Sequence, residues 1–258
     1  MVVTHPADDP WIRRFHPRAE VSIRLVCFPY AAGSAAYYFP LSLALPGNVE
    51  LVSVQYPGRQ DRYRERRIES IAELADGCYA ALKPWTDKPL AFFGYSMGAM
   101  IAFEVARRFQ AGSLPGAAQL FVAARRGPAV RRADTVHLLD DEGLAQELRR
   151  LGATDAQWLD DPELRASVLP LARSDYTAVE TYRLTPGSPV TCPITALVGD
   201  HDPYTTLEDA AAWQAHTTGR FDLRVFPGGH FFVEQHREAL TGLLVDTLSG
   251  VLRGRPAR

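Results

Sequence analysis

The stretch that decides the fold is Leu90–Phe103, LAFFGYSMGAMIAF. Its first five residues form a short apolar run typical of a buried strand, and Met97–Phe109 is predicted to be a helix. Between them stands Gly94-Tyr-Ser96-Met-Gly98, a G-x-S-x-G pattern. In a strand-turn-helix setting this pattern predicts a nucleophile elbow, whose sharp turn exposes the serine and needs small flanking residues. The alternative is an ordinary turn whose serine only caps the helix.

Similar patterns continue on both sides of this stretch. Further strands are predicted at Ile23–Phe28, Glu50–Gln55, Gln119–Ala123, Ile194–Gly199 and Phe221–Phe226. Helices are predicted from Ile71 to the stop at Pro84, and at Leu207–His216 and Phe232–Leu252. The alternation of strand and helix predicts a doubly wound, mostly parallel sheet.

The pattern changes between Arg125 and Pro189, where no strand is evident. Helices are predicted at Asp141–Leu151 and Asp161–Tyr182. We interpret residues 125–189, approximately, as a helical lid inserted into a single domain that spans residues 1–258.

A serine nucleophile needs a base and an acid. One histidine follows a late predicted strand in a glycine-rich turn, Phe226-Pro-Gly-Gly-His230, and it is our predicted general base. The acid is expected after the preceding strand, where Asp200 and Asp202 both occur. We choose Asp202, because the first aspartate of such a loop usually ties the turn while the second projects toward the histidine. The alternative for this loop is a plain Asx turn before Pro203.

The chain order Ser96, Asp202, His230 is that of the α/β-hydrolases, so the sequence predicts an α/β-hydrolase fold. The chemistry also needs an oxyanion hole made of two backbone N–H groups. We expect one from Met97, directly after the serine, and one from Ala31 in the small-residue loop that follows the first predicted strand.

Composition narrows the class of protein. The 258 residues carry a formal net charge of −2, so the chain as a whole lacks the positive charge expected of a nucleic-acid-binding protein. Three scattered cysteines predict neither a metal site nor a disulfide framework. The uncharged stretch after Arg24 is broken by prolines and glycines, and the N-terminus lacks a secretory pattern, so we expect a cytoplasmic protein without a membrane segment. No phosphate-binding glycine motif or ligand cluster indicates a cofactor.

The sequence resembles the stand-alone type II thioesterases of modular polyketide and nonribosomal peptide synthases. The resemblance is carried by WIRRF from Trp11, LVCFPYAAGS from Leu25, VQYPGRQ from Val54, FGYSMGA from Phe93, SDY from Ser174, GDHDP from Gly199 and GGHF from Gly228. It implies hydrolysis of acyl groups from the phosphopantetheine arm of acyl or peptidyl carrier proteins, with Ser96, Asp202 and His230 as the triad.

Two tyrosines depart from the pattern of the family. Its members commonly have histidine where this chain has Tyr30 and Tyr95, and glycine where it has Ala32. We therefore predict that Tyr30 and Tyr95 line the substrate pocket and affect its acyl preference.

Two other functions remain open on the sequence. A general carboxylesterase or lipase would use the same triad, and a catalytically silent hydrolase fold could serve as a binding module. Only two of the 28 basic residues are lysines. The arginines of 59–67, with Arg13 and Arg14, form either a docking patch for an acidic carrier protein or a solvated face with interleaved acids.

Overall fold

The computed structural model describes residues 9–152 and 159–254. Its central feature is a seven-stranded sheet with the order β1-β3-β2-β4-β5-β6-β7. The strands are β1 (Ile12–Arg13), β2 (Ile23–Phe28), β3 (Val49–Val54), β4 (Leu90–Tyr95), β5 (Gln119–Ala123), β6 (Ile194–Gly199) and β7 (Phe221–Phe226). Strands β2 to β7 pair in parallel, which confirms the predicted mostly parallel sheet.

Strand β1 was not predicted. It is only two residues long and pairs antiparallel with β3, so that Ile12 lies opposite Val54. The N-terminal segment is held further by a hydrogen bond between His16 Nδ1 and Ser42 Oγ, at 2.6 Å.

The helices flank the sheet and connect its strands. They are α1 (Phe39–Ala44), α2 (Ile71–Leu82), α3 (Met97–Ala111), α4 (Asp141–Arg150), α5 (Pro162–Thr181), α6 (Leu207–Ala211), α7 (Phe232–Gln235) and α8 (Arg237–Leu252). Two predicted helices are shorter than expected. Residues 212–216 continue α6 as a 3-10 helix, and the predicted final helix is divided at His236 into α7 and α8.

Both faces of the sheet are covered by helices. Val26 and Phe28 of β2 pack toward α2 and α3, while Leu25 and Cys27, which alternate with them in sequence, pack toward α8. This alternation is what a strand imposes, because successive side chains point to opposite faces. It explains why every residue of β2, β3 and β4 is buried.

The stretch between β5 and β6 supplies α4 and α5, and no named strand occurs among its described residues. Leu144 and Leu148 of α4 form a small apolar cluster with Leu169 and Ala172 of α5. The two helices therefore pack on each other as a unit above the sheet edge. No helix within 9–152 or 159–254 has both the length and the apolar character needed to cross a membrane.

Candidate active site

Ser96 stands in a strained turn between β4 and α3. Its φ is +51°, a left-handed value that is unfavourable for a residue with a Cβ atom. The turn is crowded: a Cβ on Gly94 would overlap the backbone of Gly98 and Ala99, and one on Gly98 would overlap the carbonyl of Phe28. Only glycine fits at these two positions, which is the physical reason for the G-x-S-x-G pattern.

The structure brings Ser96, His230 and Asp202 together. His230 Nε2 is 3.1 Å from Ser96 Oγ, and His230 Nδ1 is 2.9 Å from Asp202 Oδ2 and 3.1 Å from Asp202 Oδ1. The Asp202 side chain is fully buried, and its Oδ1 also accepts the Tyr204 N–H at 2.8 Å. A buried carboxylate on Nδ1 favours the tautomer whose Nε2 can accept a proton from serine.

Asp200 faces away from the histidine. Its Oδ1 accepts the Gly228 N–H at 2.8 Å and lies 2.6 Å from His201 Nδ1. The Gly228 amide and His201 hold the pKa of Asp200 below its ordinary value. Asp200 therefore ties the β6 loop to the turn that carries His230, whereas Asp202 contacts the imidazole.

The predicted oxyanion donors lie beside the serine. Ala31 lines the same cavity as Ser96, and Met97 is the first residue of α3. Within the described part of the chain neither backbone N–H has a hydrogen-bond acceptor. Both amides are therefore available to a substrate oxygen.

A tight turn from Tyr30 to Gly33 presents the Ala31 amide. The Gly33 N–H donates to the Tyr30 carbonyl at 2.9 Å, and Ala32 has a φ of +62°. Glycine is the usual residue at such a turn position, because a Cβ disfavours the left-handed region. The Ala32 N–H donates to Asp175 Oδ2 at 2.7 Å.

Asp175 connects the lid to this turn. It lies in α5, and Arg59 pairs with its Oδ2, both side chains being almost fully buried. Arg59 also donates to the carbonyls of Gly33 at 2.8 Å and Pro57 at 2.9 Å, and its guanidinium stacks on the Tyr56 ring. The YPGR and SDY motifs thus meet at the oxyanion turn.

Two arginines of the 59–67 cluster do not lie at the surface. Arg59 and Arg62 are buried, and each is bonded to a carboxylate and to at least one backbone carbonyl. Arg13 pairs with Asp61 and Arg14 pairs with Glu50. Internal ion pairs account for these four of the arginines assigned to the patch.

A cavity of about 270 Å³ opens above Ser96 and His230. Apolar and aromatic side chains of the α4–α5 segment line one side of it: Leu148 and Leu151 at the end of α4, and Leu164, Val168 and Tyr176 of α5. Its floor includes Tyr30 and Phe231, whose rings meet edge to face at 5.2 Å. Tyr30 therefore lies where the sequence predicted, and burial raises its pKa to about 12.

Tyr95 does not line this cavity, contrary to expectation. It is the last residue of β4 and is fully buried on the face of the sheet opposite α3. Its hydroxyl donates to the backbone carbonyl of His230 at 2.7 Å. Because neighbouring strand residues point to opposite faces, the residue before Ser96 supports the histidine turn from below.

A larger cavity of about 530 Å³ lies between α1 and α8 and includes none of the three triad residues. Among the residues described, no cluster of three His, Cys, Asp or Glu side chains is arranged to hold a metal ion, and Cys27, Cys78 and Cys192 are all buried thiols.

The protein has an α/β-hydrolase fold. This follows from the order of the strands in the sheet and from the position of Ser96 in the turn between β4 and α3. Comparison with known proteins then gives the family. The thioesterase domain family matches residues 23–248, and this chain belongs to it.

Relatives of known structure and sequence agree with this membership. The chain is 47% identical to thioesterase PikA5 of Streptomyces venezuelae, over 95% of this chain and 88% of that protein. The type II thioesterase BorB from the borrelidin biosynthetic cluster superposes with a TM-score of 0.87 at 44% identity, covering 95% of this chain and 98% of BorB. RedJ, a thioesterase of the prodiginine pathway in Streptomyces coelicolor, gives 0.82 at 36% identity, covering 94% and 89%.

Proposed function

We propose that this thioesterase is a stand-alone editing enzyme that removes acyl groups from phosphopantetheinyl carrier proteins of a polyketide or nonribosomal peptide synthase in the cytoplasm. The observation that carries the proposal is the continuous chain of hydrogen-bonding distances from Ser96 through His230 to Asp202, at the base of an apolar cavity. The similarity to type II thioesterases of such pathways supports the carrier-bound substrate.

The first half of the reaction transfers the acyl group to the enzyme. His230 Nε2 accepts the Ser96 hydroxyl proton while Oγ forms a bond to the thioester carbonyl carbon. The carbonyl oxygen takes up negative charge opposite the amides of Ala31 and Met97. The carbon–sulfur bond then breaks, and His230 returns the proton to the departing thiolate of the pantetheine arm.

The second half releases the acid. A water molecule gives a proton to His230 Nε2 and adds to the carbonyl carbon of the acyl-Ser96 ester. Collapse of this intermediate breaks the bond to Oγ, which recovers its proton from the imidazole. Asp202 keeps the ring oriented and stabilises its positive charge in both halves. The reaction needs no cofactor.

The lining of the cavity fits an acyl chain. Leu148, Leu151, Leu164 and Val168 present aliphatic groups to the space above Ser96. Each buried methylene of a substrate gains about 0.8 kcal/mol from leaving water. The lid thus supplies apolar binding surface, while the turn after β2 and the start of α3 each supply one amide of the proposed oxyanion hole.

The decisive experiment follows acylated carrier proteins by intact-protein mass spectrometry. Ser96→Ala is expected to abolish deacylation while leaving the circular-dichroism spectrum unchanged, and Ser113→Ala, at an exposed serine outside the site, serves as the matched control. More than trace activity in Ser96→Ala contradicts the assignment of the nucleophile.

Substrate comparison tests the class of reaction. We expect higher kcat/KM for acyl-carrier protein than for simple oxygen esters of the same acyl group. A preference for oxygen esters would support a carboxylesterase or lipase instead. Failure of a fluorophosphonate probe to label the wild-type protein would support a silent binding module.

A further inference from the structure

A third cavity, of about 440 Å³, lies between the loop that follows β5 and the C-terminal end of α5. Among the described residues, five arginines and one acidic residue, Glu180, line it. The arginines are Arg125, Arg126, Arg131, Arg132 and Arg183. Asp134 and Asp209 pair with two of these arginines, and even with Glu180 included the arginines outnumber the acids around the cavity by five to three.

Arg125 is the central observation. Its Nε atom is enclosed and has no hydrogen-bond partner, and no described residue accepts a hydrogen bond from its guanidinium. Burial and the neighbouring Arg126 lower the pKa of Arg125 to about 10, so it still carries its charge at neutral pH. An enclosed guanidinium nitrogen without an acceptor is costly, and this cost is recovered when an anion binds beside it.

The acids around Arg125 are already engaged. Asp134 pairs with Arg126, and Asp209 pairs with Arg132. The Glu180 carboxylate accepts the backbone N–H groups of residues 136 and 137, each at 3.1 Å, and contacts the imidazole of the latter. Asp134 and Glu180 help to stabilise the charge of Arg125, but none of the three carboxylates accepts a hydrogen bond from it, so its donors are left for a ligand from outside the chain.

This cavity adjoins the catalytic one along two helices. In α3, Met100 lines it one turn after Ser96. In α5, Tyr176 lines the catalytic cavity, and Val179, about one turn later, lines the cationic one. One helical turn rises 5.4 Å, so the two cavities lie on successive turns of the same helices.

We propose that this cationic cavity binds the phosphate of the phosphopantetheine arm, with Arg125 as its main ligand, while the thioester lies at Ser96. The proposal rests on the proposed function, in which the substrate is attached to that arm. A guanidinium presents a planar set of donors that matches the oxygens of a phosphate ester. With the phosphate here and the thioester at Ser96, the arm would be anchored in a curled conformation, because the extended arm is longer than the one helical turn that separates the linings of the two cavities.

The test compares two substrates that differ only in the phosphate: acyl-phosphopantetheine and acyl-pantetheine. Wild type should prefer the phosphorylated substrate by about 10-fold or more in kcat/KM, because hydrogen bonds to charged groups contribute about that much. Arg125→Met should abolish the preference, with a much larger loss of kcat/KM on acyl-phosphopantetheine than on acyl-pantetheine. Arg131→Met, at an exposed residue of the same cavity, should reduce it, and Arg220→Met, at an exposed arginine elsewhere, should keep it.

Three outcomes overturn the proposal. Equal losses on both substrates in Arg125→Met mean that Arg125 is structural. If Arg125→Met lowers kcat/KM only when the acyl group is presented on intact carrier protein, the cavity binds carboxylates of the carrier surface. If Arg125→Met lowers kcat/KM only when the acyl group is presented on coenzyme A, the cavity binds the nucleotide phosphates.

A binding measurement separates this proposal from the proposed function. Calorimetry with the Ser96→Ala protein, which does not depend on turnover, should show that pantetheine 4′-phosphate binds and that pantetheine without phosphate binds at least about 10-fold more weakly. Equal affinities refute the phosphate site even if the enzyme hydrolyses thioesters. A phosphate preference in a protein that hydrolyses no thioester refutes the proposed function and leaves the anion site standing.

Discussion

Removing the hydroxyl of Tyr95 tests whether its hydrogen bond stabilises the turn that carries His230. It donates to the His230 carbonyl at 2.7 Å, and both residues are buried. Burial raises the pKa of Tyr95 well above its ordinary value, so the hydroxyl remains a donor throughout the usual assay range. Tyr95→Phe removes this donor and leaves a buried carbonyl unsatisfied, which costs about 1–3 kcal/mol of unfolding free energy.

The same aromatic cluster contains a matched control. The rings of Tyr37 and Tyr95 lie 5.9 Å apart, but the buried hydroxyl of Tyr37 has no hydrogen-bond partner. Tyr37→Phe should therefore be neutral or slightly stabilising, because it removes a polar group that gains nothing from burial. Both variants delete one oxygen atom from a tyrosine of the same cluster, so the difference between them reports chiefly on the hydrogen bond to His230.

The measurement is equilibrium unfolding in urea, with the slope checked for constancy. For a domain of this size each kcal/mol lowers Tm by about 2–4 °C, so Tyr95→Phe should melt about 2–12 °C below wild type. If Tyr95→Phe loses no more stability than Tyr37→Phe, the hydrogen bond to His230 does not hold the turn and our interpretation of Tyr95 is wrong.

Two further predictions concern the catalytic loops. Ala32→Gly should raise the unfolding free energy by about 0.5–1 kcal/mol in urea titrations, because relief of about 1–2 kcal/mol of left-handed strain exceeds the added freedom of glycine in the unfolded chain; a destabilised variant would contradict the strain. Asp202→Asn should lower kcat for thioester hydrolysis by about 10⁴-fold with the fold intact, while Asp200→Asn should lower it by less than about tenfold. The reverse order in steady-state assays would exchange the roles of the two aspartates.

The sequence predicts those parts of the structure that depend on local patterns. Each central strand is a short apolar run, and the parallel arrangement brings the carboxyl ends of β4, β6 and β7 to one edge. Ser96, Asp202 and His230 each follow one of these strands, which is why three distant residues could be placed together without any contact information.

Other features had no local signal. Strand β1 is too short to show a period, and it exists because β3 offers it an edge. Arg59 and Asp175 are 116 residues apart in sequence, so nothing nearby reveals that they form a buried pair. Tyr95 was placed in the pocket because of its position beside Ser96, although the alternation of β4 directs it to the opposite face.

The bond between Asp175 and the oxyanion turn divides α5 into two parts with different freedom. Asp175 is fixed to Ala32 and Arg59, whereas Leu164 and Val168, which line the cavity, lie more than a turn earlier. Pro170 stands between the two parts and removes a helical hydrogen bond there. A movement that pivots at Pro170 would open the cavity to a bulky acyl chain. The part of α5 before Pro170 would move, while the part that contains Asp175 would keep the oxyanion turn in place.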